Sequence, residues 1–576
     1  MPLNHLTDSG QPIEPSPDVQ RTTLGLDALG RYVCSTWDEA TGSGSREFDA
    51  IVVGAGMFGA YCADRLFRWG QAARLKVLVL DAGAFLLPMH IQNLPNIGFN
   101  VPRALAPSAD PGVARELVWG IPWRGNTDFV GQAYCIGGKS LYWGGWCPRL
   151  LDDDLADWPG SVVSYLRQNY SLLEQQTGVD VRTDFIQGDL FELLKARLSA
   201  IVGTTPGLNL DVVEDPPLAV QGQSPASGLF SFDKYSSVTS LIEAVRDAAR
   251  EPDPARRLFI VPNAHVTDLS VTDGAVSAIN VNVAGIPRSI PVRSGCAVVL
   301  ALGTIESTRL ALTSFPTSPT DPSQELMGRN LMAHWRSNIF VRIKREALDT
   351  TLSLPSELQA AALLVRGSTP LGRFHIQITA SADPGGNADA MLFSMIPDID
   401  QLQQMLASQR SGWITLGFRG VSQHFGEKQQ GVPNPDGRWI NLSPFETDEF
   451  GRPRAYVHLT TTSVEDELAD AMDEAILALA NRLAGDDPAN IQVVSRVRDG
   501  LGTTYHEAGT LWMGSSPADS VTDTNGRFHH IANAFCADQA LFPSVGSVNP
   551  TLTGLVLTRK IAAAAMALAT GAIAPP

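Results

Sequence analysis

FDAIVVGAGMFGAYCADRLFRWG, residues 48–70, decides how the chain folds. Phe48 to Val53 is a short apolar, β-branched run, the composition of a buried parallel strand. Glycines 54, 56 and 59 follow at once, and a helical period then runs through Leu66 and Trp69. LKVLVLDAG supplies a second buried strand ending at Asp81, with Ala82 beside it. Strand, glycine turn, helix, strand and acid in this order make a βαβ unit with the signature of dinucleotide binding. Gly54 permits the tight turn, Gly56 lets a pyrophosphate approach the backbone, and Gly59 lets helix and strand pack closely. The helix N-terminus at Met57 and Phe58 turns free N–H groups and a positive dipole end toward the phosphates. Asp81 stands where an acid holds ribose hydroxyls. A glycine turn without a ligand is the bland alternative, and the ordered context disfavours it. The motif alone does not separate FAD from NAD.

Outward from this unit the chain changes character several times. Residues 1–46 form a polar arm with one short helix expected around LDALGRYV. Residues 47–150 hold the βαβ unit, a loop-rich stretch and a second glycine-dense run, GGKSLYWGGWCPRL (137–150). Residues 151–229 read as a substrate-side or connecting segment. Residues 230–338 alternate again: SSVTSLIEAVRDAARE is a helix, RRLFIVPNAHVTDLSV a strand pair, and CAVVLALGTIESTRLAL a buried strand running past Ala301 into a helix. Residues 339–500 differ. SNIFVRIKRE, RFHIQITASA and RAYVHLTTT alternate as strands and VEDELADAMDEAILALANRLA follows as a helix, so a second domain with an antiparallel sheet is expected. Residues 501–576 are glycine-rich and close with NAFCADQALFPSVGSVNPTLTGLVLTRKIA: a strand, Asp538, a loop, then a helix starting near Pro550 and Thr551. Asp538 can bind cofactor hydroxyls or simply cap a turn.

At 576 residues the chain has room for more than one domain and a large core. Its net charge of -17 argues against nucleic acid or an anionic membrane as the main partner. The six cysteines form no C-x-x-C pair and read as free thiols of a reducing compartment. The N-terminus lacks the basic and apolar regions of a secretory signal. No stretch is expected to span a bilayer, and IAAAAMALATGAIA reads as the end of a buried helix. A cytoplasmic protein is expected, with the N-terminal arm available to pack on a neighbour in a homo-oligomer.

TTYHEAGTLWMG (503–514) begins like the helical zinc motif H-E-x-x-H. Thr510 replaces the second ligand and Gly509 disfavours a helix, so no metal site is expected. His529 and His530 lie beside a turn and read as loop residues. Glu507 either orients His506 or faces solvent.

VVGAGMFG…LVLDAG, GGKSLYWGG, ALGTIESTRLAL, GRNLMAH, HEAGTLWMG and ADQALFPSVGSVNPTLTG follow one another as the motifs of the glucose–methanol–choline (GMC) oxidoreductases do. The chain resembles this family over residues 48–576, most closely the pyranose 2-oxidase branch and its bacterial relatives; the match over 340–500 is loose. The resemblance implies an α/β fold: a Rossmann-like FAD-binding domain of GMC type with a second, α+β substrate domain on a mainly antiparallel sheet. It implies a catalytic pair, His506 and Asn549. The chemistry agrees, because a neutral imidazole suits removal of an alcohol proton and an Asn amide can only hold the oxygen. It places Gly138, Ser140, Tyr142, Trp143, Gly144 and Gly145 along the flavin, with Ser140 as a hydrogen-bond donor, and Val266 against adenine. The helix after Pro550 and Thr551 then points its positive end at the flavin pyrimidine. His334 of GRNLMAH is given no catalytic role. The pyranose 2-oxidase branch commonly carries a flavin-linking His where this chain has Tyr142, so the FAD is expected to be non-covalent. Gln423, His424 and Glu427, in a polar loop of the substrate domain, are candidates to bind a polyol.

The function expected is an FAD-dependent alcohol oxidoreductase taking hydride from a secondary hydroxyl of a sugar or glycoside, with oxygen or a quinone-like acceptor reoxidising the flavin. A sterol or other apolar-alcohol oxidase is the nearest alternative. A flavin-binding protein without turnover and an NAD-dependent dehydrogenase are the others.

Overall fold

The computed structural model describes residues 30–93, 119–127, 131–179, 186, 188–205, 207–221, 233–317, 321–350, 354, 358–382, 396 and 399–572. Residues 1–29, with the first half of the helix expected around LDALGRYV, lie outside the described residues; the described part of the arm turns at 31–33 and forms a short helix over Trp37–Thr41.

Two sheets organise the rest. The first is parallel and five-stranded, in the order Ala534–Cys536, Ala297–Leu300, Ala50–Val53, Val77–Leu80 and Leu258–Val261. The last four strands are buried at every position, which is why each reads as a continuous apolar run. Ala50–Val53 pairs with Val77–Leu80 on one side and Ala297–Leu300 on the other, so the chain order reverses beside its C-terminal end. In open parallel sheets that crevice takes the ligand. The helices Met57–Trp69, Ser237–Ala248 and Thr551–Thr570 pack together over this sheet.

The second sheet is antiparallel and six-stranded, in the order Ile491–Arg498, Trp335–Lys344, Trp413–Ser422, Gly372–Ala382, Gln359–Thr369 and Leu210–Glu214. The helices Asp189–Thr204 and Ser463–Leu483 cover one face. A Cβ on Gly420 would come within 2.7 Å of Met472 Sδ, so glycine lets the long helix settle on the central strand. The neighbouring Arg419 and Val421 point the other way, into the cavity described below. The mixed α/β architecture agrees with the fold class expected from the sequence.

Three details differ from expectation. The strand pair 258–272 splits, since Leu258–Val261 joins the parallel sheet and Ala264–Thr272 a separate three-stranded sheet. Pro453–His458 pairs with Trp439–Thr447 and Arg124–Gly125, not with the six-stranded sheet. The C-terminal helix Thr551–Thr570 is long and apolar enough, by length and composition, to cross a membrane, although 72% of its apolar window is buried in the fold. The run was underestimated because Arg559 and Lys560 interrupt it. Lys560 is itself buried and bonds Asn525 Oδ1. All six cysteines are buried and free, as read from their spacing.

Candidate active site

A cavity of about 580 Å³ runs from the glycine turn to the floor of the antiparallel sheet. At the turn the three glycines are needed for three separate reasons. Gly54 sits at φ +93°, where a Cβ would lie 2.5 Å from Ala301 O. A Cβ on Gly56 would meet nothing within 4 Å, leaving open space for a pyrophosphate. A Cβ on Gly59 would lie 1.9 Å from Gly54 O, so only glycine lets helix and strand pack. The helix Met57–Trp69 starts at Gly56 with no side-chain cap, leaving N–H groups for an anion. These features fit the phosphates of a dinucleotide cofactor. Met57, Phe58, Ala82, Gly138, Tyr142, Trp143, Gly144, Gly145, Val266, Ala301 and Thr551 also line the cavity. Thr551 opens the 20-residue C-terminal helix, so a positive helix end faces the cavity.

Some expected cofactor residues are engaged otherwise. Asp81 lines the cavity, but its two oxygens accept from Ala55 N at 2.7 Å and Gly83 N at 2.8 Å, which ties the strand end to the turn. Burial raises its pKa to about 7. Ser140 also lines the cavity, but its hydroxyl closes a tight turn onto Gly137 O at 2.6 Å and meets Ser236 Oγ at 2.8 Å. Asp538 does not line the cavity. It accepts from Ser307 Oγ, Gly303 N and Ala540 N, acting as the turn cap that was the alternative reading. Pro550 is buried at the helix start, away from the lining.

Gln423, His424 and Glu427 also lie away from the cavity. Gln423 accepts from Arg373 N, and His424 is buried against Thr460 O and Glu465. Glu427 is held by Gln429. Their loop is stitched to the cap of the Ser463–Leu483 helix, where Glu465 pairs with Arg438 and accepts from Phe425 N.

His506 and Asn549 are brought together, with Asn549 Nδ2 at 3.3 Å from His506 Nε2. Backbone pairing sets up the His506 side. Met332 and Ala508 form an antiparallel bridge, with both N–H···O bonds at 3.0 Å. Two residues out from that bridge, on opposite strands, stand His334 and His506. Gly509 makes the close approach possible at φ +94°, where a Cβ would lie 2.4 Å from Asn330 O. The zinc-like segment is therefore a bridged, extended turn and not a helix. Among the described residues no cluster of three or more His, Cys, Asp or Glu is placed to hold a metal. Asp154 anchors the Asn549 side, accepting from Ser547 N and Ser547 Oγ at 3.2 Å each.

The hydrogen bonds fix the protons. His334 Nε2 lies 3.0 Å from Gly546 O, which can only accept, so Nε2 carries the hydrogen. Burial lowers the His334 pKa to about 4, so the ring is neutral and its Nδ1 is a lone pair. That lone pair sits 2.9 Å from His506 Nδ1, which must donate. His506 is itself held well below the ordinary imidazole range by burial first, then by its neighbours His334, Arg336, His375 and Arg419. Neutral His506 then has its one lone pair on Nε2, where the Asn549 Nδ2 group lies at 3.3 Å. A second chain ends there too. His375 Nδ1 donates to Ser547 O at 2.5 Å, and Gln377 Nε2 donates to His375 Nε2 at 3.0 Å and to Asn549 Oδ1 at 2.6 Å. Asn549 must therefore present its N–H₂ group to His506. The arrangement can accept a proton at one atom and donate a hydrogen bond beside it.

His334, given no role from the sequence, and His375 and Gln377, not singled out at all, set the orientation of the pair. The floor around them was also missed. Gln377, Arg419 and Asn338 stand opposite one another across three adjacent strands. Arg419 Nε donates to Asn338 Oδ1 at 3.0 Å, and Asp499 accepts from Arg336 and from Asn338 Nδ2. The signal was present, because F-H-I-Q-I-T places polar residues on alternate positions of an apolar strand and W-R-S-N-I-F sets Arg336, Ser337 and Asn338 together at the start of another.

Residues 433–558 match the family model described as GMC oxidoreductase. The chain is 25% identical over 555 residues to 6'''-hydroxyparomomycin C oxidase of Streptomyces lividus, a match covering 89% of this chain and 90% of that protein. Among solved structures, pyridoxine 4-oxidase from Mesorbium loti superposes with a TM-score of 0.55 at 15% identity, covering 90% of this chain and 98% of that one. A variant of Aspergillus oryzae RIB40 formate oxidase, studied for FAD modification, gives a TM-score of 0.54 at 15% identity, covering 90% and 98%. At that identity the structural likeness speaks to the fold. Over residues 433–558 the chain is thus similar to the GMC oxidoreductases, and along most of its length it shares sequence with one oxidase and a fold with two others.

Proposed function

We propose that the protein oxidises a secondary hydroxyl of a sugar or glycoside, with His506 as the base, Asn549 as the positioning donor and FAD as the bound cofactor. The observation that carries this reading is the lone pair on His506 Nε2, fixed through His334 by Gly546 O and faced by Asn549 Nδ2. A hydroxyl at that point donates to His506 Nε2, while an Asn549 N–H holds the alcohol oxygen. Asn549 cannot take the proton, so the two roles stay separate. When His506 is protonated, its Nδ1–H already points at His334, so the charge is shared between two imidazoles and stops at Gly546 O. The turn at Gly54–Gly59, the loop 138–145, Val266, Ala301 and the helix end at Thr551 would hold FAD. When bound, FAD supplies the two-electron acceptor for the carbinol hydrogen. Tyr142 in the loop, and the absence of His from 137–150, support non-covalent binding.

A polyhydroxy substrate suits the floor, where Arg336, Asn338, Gln377, Arg419 and Asp499 line the cavity. That floor takes the role expected of the polar loop that holds Gln423, His424 and Glu427. The Streptomyces lividus relative, named for oxidising an aminoglycoside, supports the same class. The test is anaerobic mixing of the purified protein with sugars, glycosides and sterols, followed by air or a quinone. Bleaching by sugars or glycosides and recovery with the acceptor is expected; bleaching by sterols alone would reverse the choice of substrate. Acid precipitation should leave the yellow colour in the supernatant, and a yellow pellet would mean a covalent link.

A further inference from the structure

Glu507 does neither of the two things its sequence position suggested. It is 5% exposed, lines the cavity, and makes no contact with His506 through its carboxylate. Its backbone oxygen accepts from Thr304 Oγ1 at 2.5 Å, which fixes the side chain's starting point. Oε1 is buried without a hydrogen-bond partner, and among the described residues no other one donates to the carboxylate. Across from it stands Lys139, also on the cavity wall, with its Nζ 4.7 Å from the centre of the Tyr505 ring and bonded to no acceptor. Each feels the other's charge, Lys139 being Glu507's strongest favourable neighbour, but they do not pair directly.

Each of the remaining charged groups along the cavity holds a charged, polar or backbone partner, although Oε1 of Glu306 is, like that of Glu507, buried without one. Asp81 holds two backbone amides, Glu306 and Arg309 pair, and Asp499 holds Arg336 and Asn338. Arg419 donates to Asn338. An opposite-charged couple left open in the wall of a buried cavity is costly unless a ligand completes it. The ligand group must accept from an ammonium and donate to a carboxylate.

Its position narrows the choice. A Cβ on Gly138, one residue before Lys139, would lie 3.0 Å from Gly56 Cα at the pyrophosphate turn. Tyr505 and Glu507 flank His506. The couple therefore lies between the turn and the base, whereas the polar floor for a substrate is on the antiparallel sheet. We propose that Lys139 and Glu507 grip the imide edge of the flavin ring, Lys139 donating to a ring carbonyl and Glu507 accepting from N3–H. This rests on the FAD reading above. An imide offers what the couple lacks, an N–H donor flanked by carbonyl acceptors.

The flavin N3–H loses its proton at alkaline pH with a change in absorbance, so the holoenzyme reports the contact without turnover. A carboxylate accepting from N3–H keeps the proton on; an ammonium beside the ring favours its loss. Glu507→Gln should move the alkaline transition down by about one pH unit, tenfold in proton affinity, and Lys139→Met, which removes an ammonium that burial already holds below its usual range, should move it up by less. Glu507→Asp and Lys139→Arg, which keep the charges, should stay near the wild type. A neutral variant that loses flavin while its charge-keeping partner retains it also supports the contact. Transitions that stay put, or move the same way in both neutral variants, overturn the proposal. A wild-type protein purified without flavin would instead overturn the FAD reading.

Discussion

His334→Ala tests how the base is oriented. In the native protein His334 Nδ1 accepts from His506 Nδ1 at 2.9 Å, and His334 Nε2 is tied to Gly546 O. Alanine removes that acceptor and leaves a buried N–H on His506 unsatisfied. Such a group costs roughly 1–3 kcal/mol, which the ring relieves by turning or by moving its hydrogen to Nε2. Either change removes the lone pair the substrate needs. At about 1.4 kcal/mol per tenfold, the rate constant for flavin reduction should fall about 10- to 100-fold. His334→Asn keeps an acceptor near the position of Nδ1 and should recover much of the loss. The assay is anaerobic stopped-flow bleaching at saturating substrate, with rates compared at equal flavin content. Asn549 and the cofactor pocket are untouched, so substrate affinity should change less than the rate constant. An alanine variant that bleaches as fast as the wild type, or an asparagine variant no better than alanine, would refute the relay.

Three further outcomes follow from the same geometry. His506 is useful only when neutral, a form present above its pKa and lost as pH falls through it; burial holds that pKa below 6.5, so the rate of reduction should stay flat from neutral pH past 6.5. An acid limb centred at or above 6.5 contradicts the assignment. Asn549→Asp puts a carboxylate against His506 Nε2 and favours the imidazolium, so the acid limb should move up by about one pH unit or more and the neutral-pH rate should drop; an unmoved limb would separate the two side chains. Gly59→Ala drives a Cβ to within 1.9 Å of Gly54 O, so the flavin-to-protein absorbance ratio should fall and the protein should lose about 1–3 kcal/mol of stability on thermal unfolding.

The nucleotide end was legible because its residues are local. Gly54, Gly56 and Gly59 act through their own backbone and a neighbouring strand, so spacing alone reports them. His506 and Asn549 were reached only through a family resemblance, because 43 residues separate them and no local pattern joins them. The supporting shell was hidden for a different reason. His334, His375 and Gln377 take their roles from a strand register and from carbonyls of the 546–547 loop, neither of which a linear motif encodes. Asp538 and Ser140 show why a short motif is ambiguous: Asp and Ser cap turns as readily as they bind ligands, and here both cap turns while Ser140 also lines the cavity. The polar loop of Gln423, His424 and Glu427 was suggested by composition, and here it serves packing: Glu427 is held by Gln429 and His424 lies against Glu465 of a helix cap.

The most direct test of the whole account is anaerobic reduction of the bound flavin in the wild type and in His506→Ala. The account predicts a yellow protein whose flavin is bleached by a sugar or glycoside, and a His506→Ala variant that keeps its flavin but reduces it about 10²- to 10⁴-fold more slowly. Wild-type and variant flavins bleaching at the same rate would contradict it.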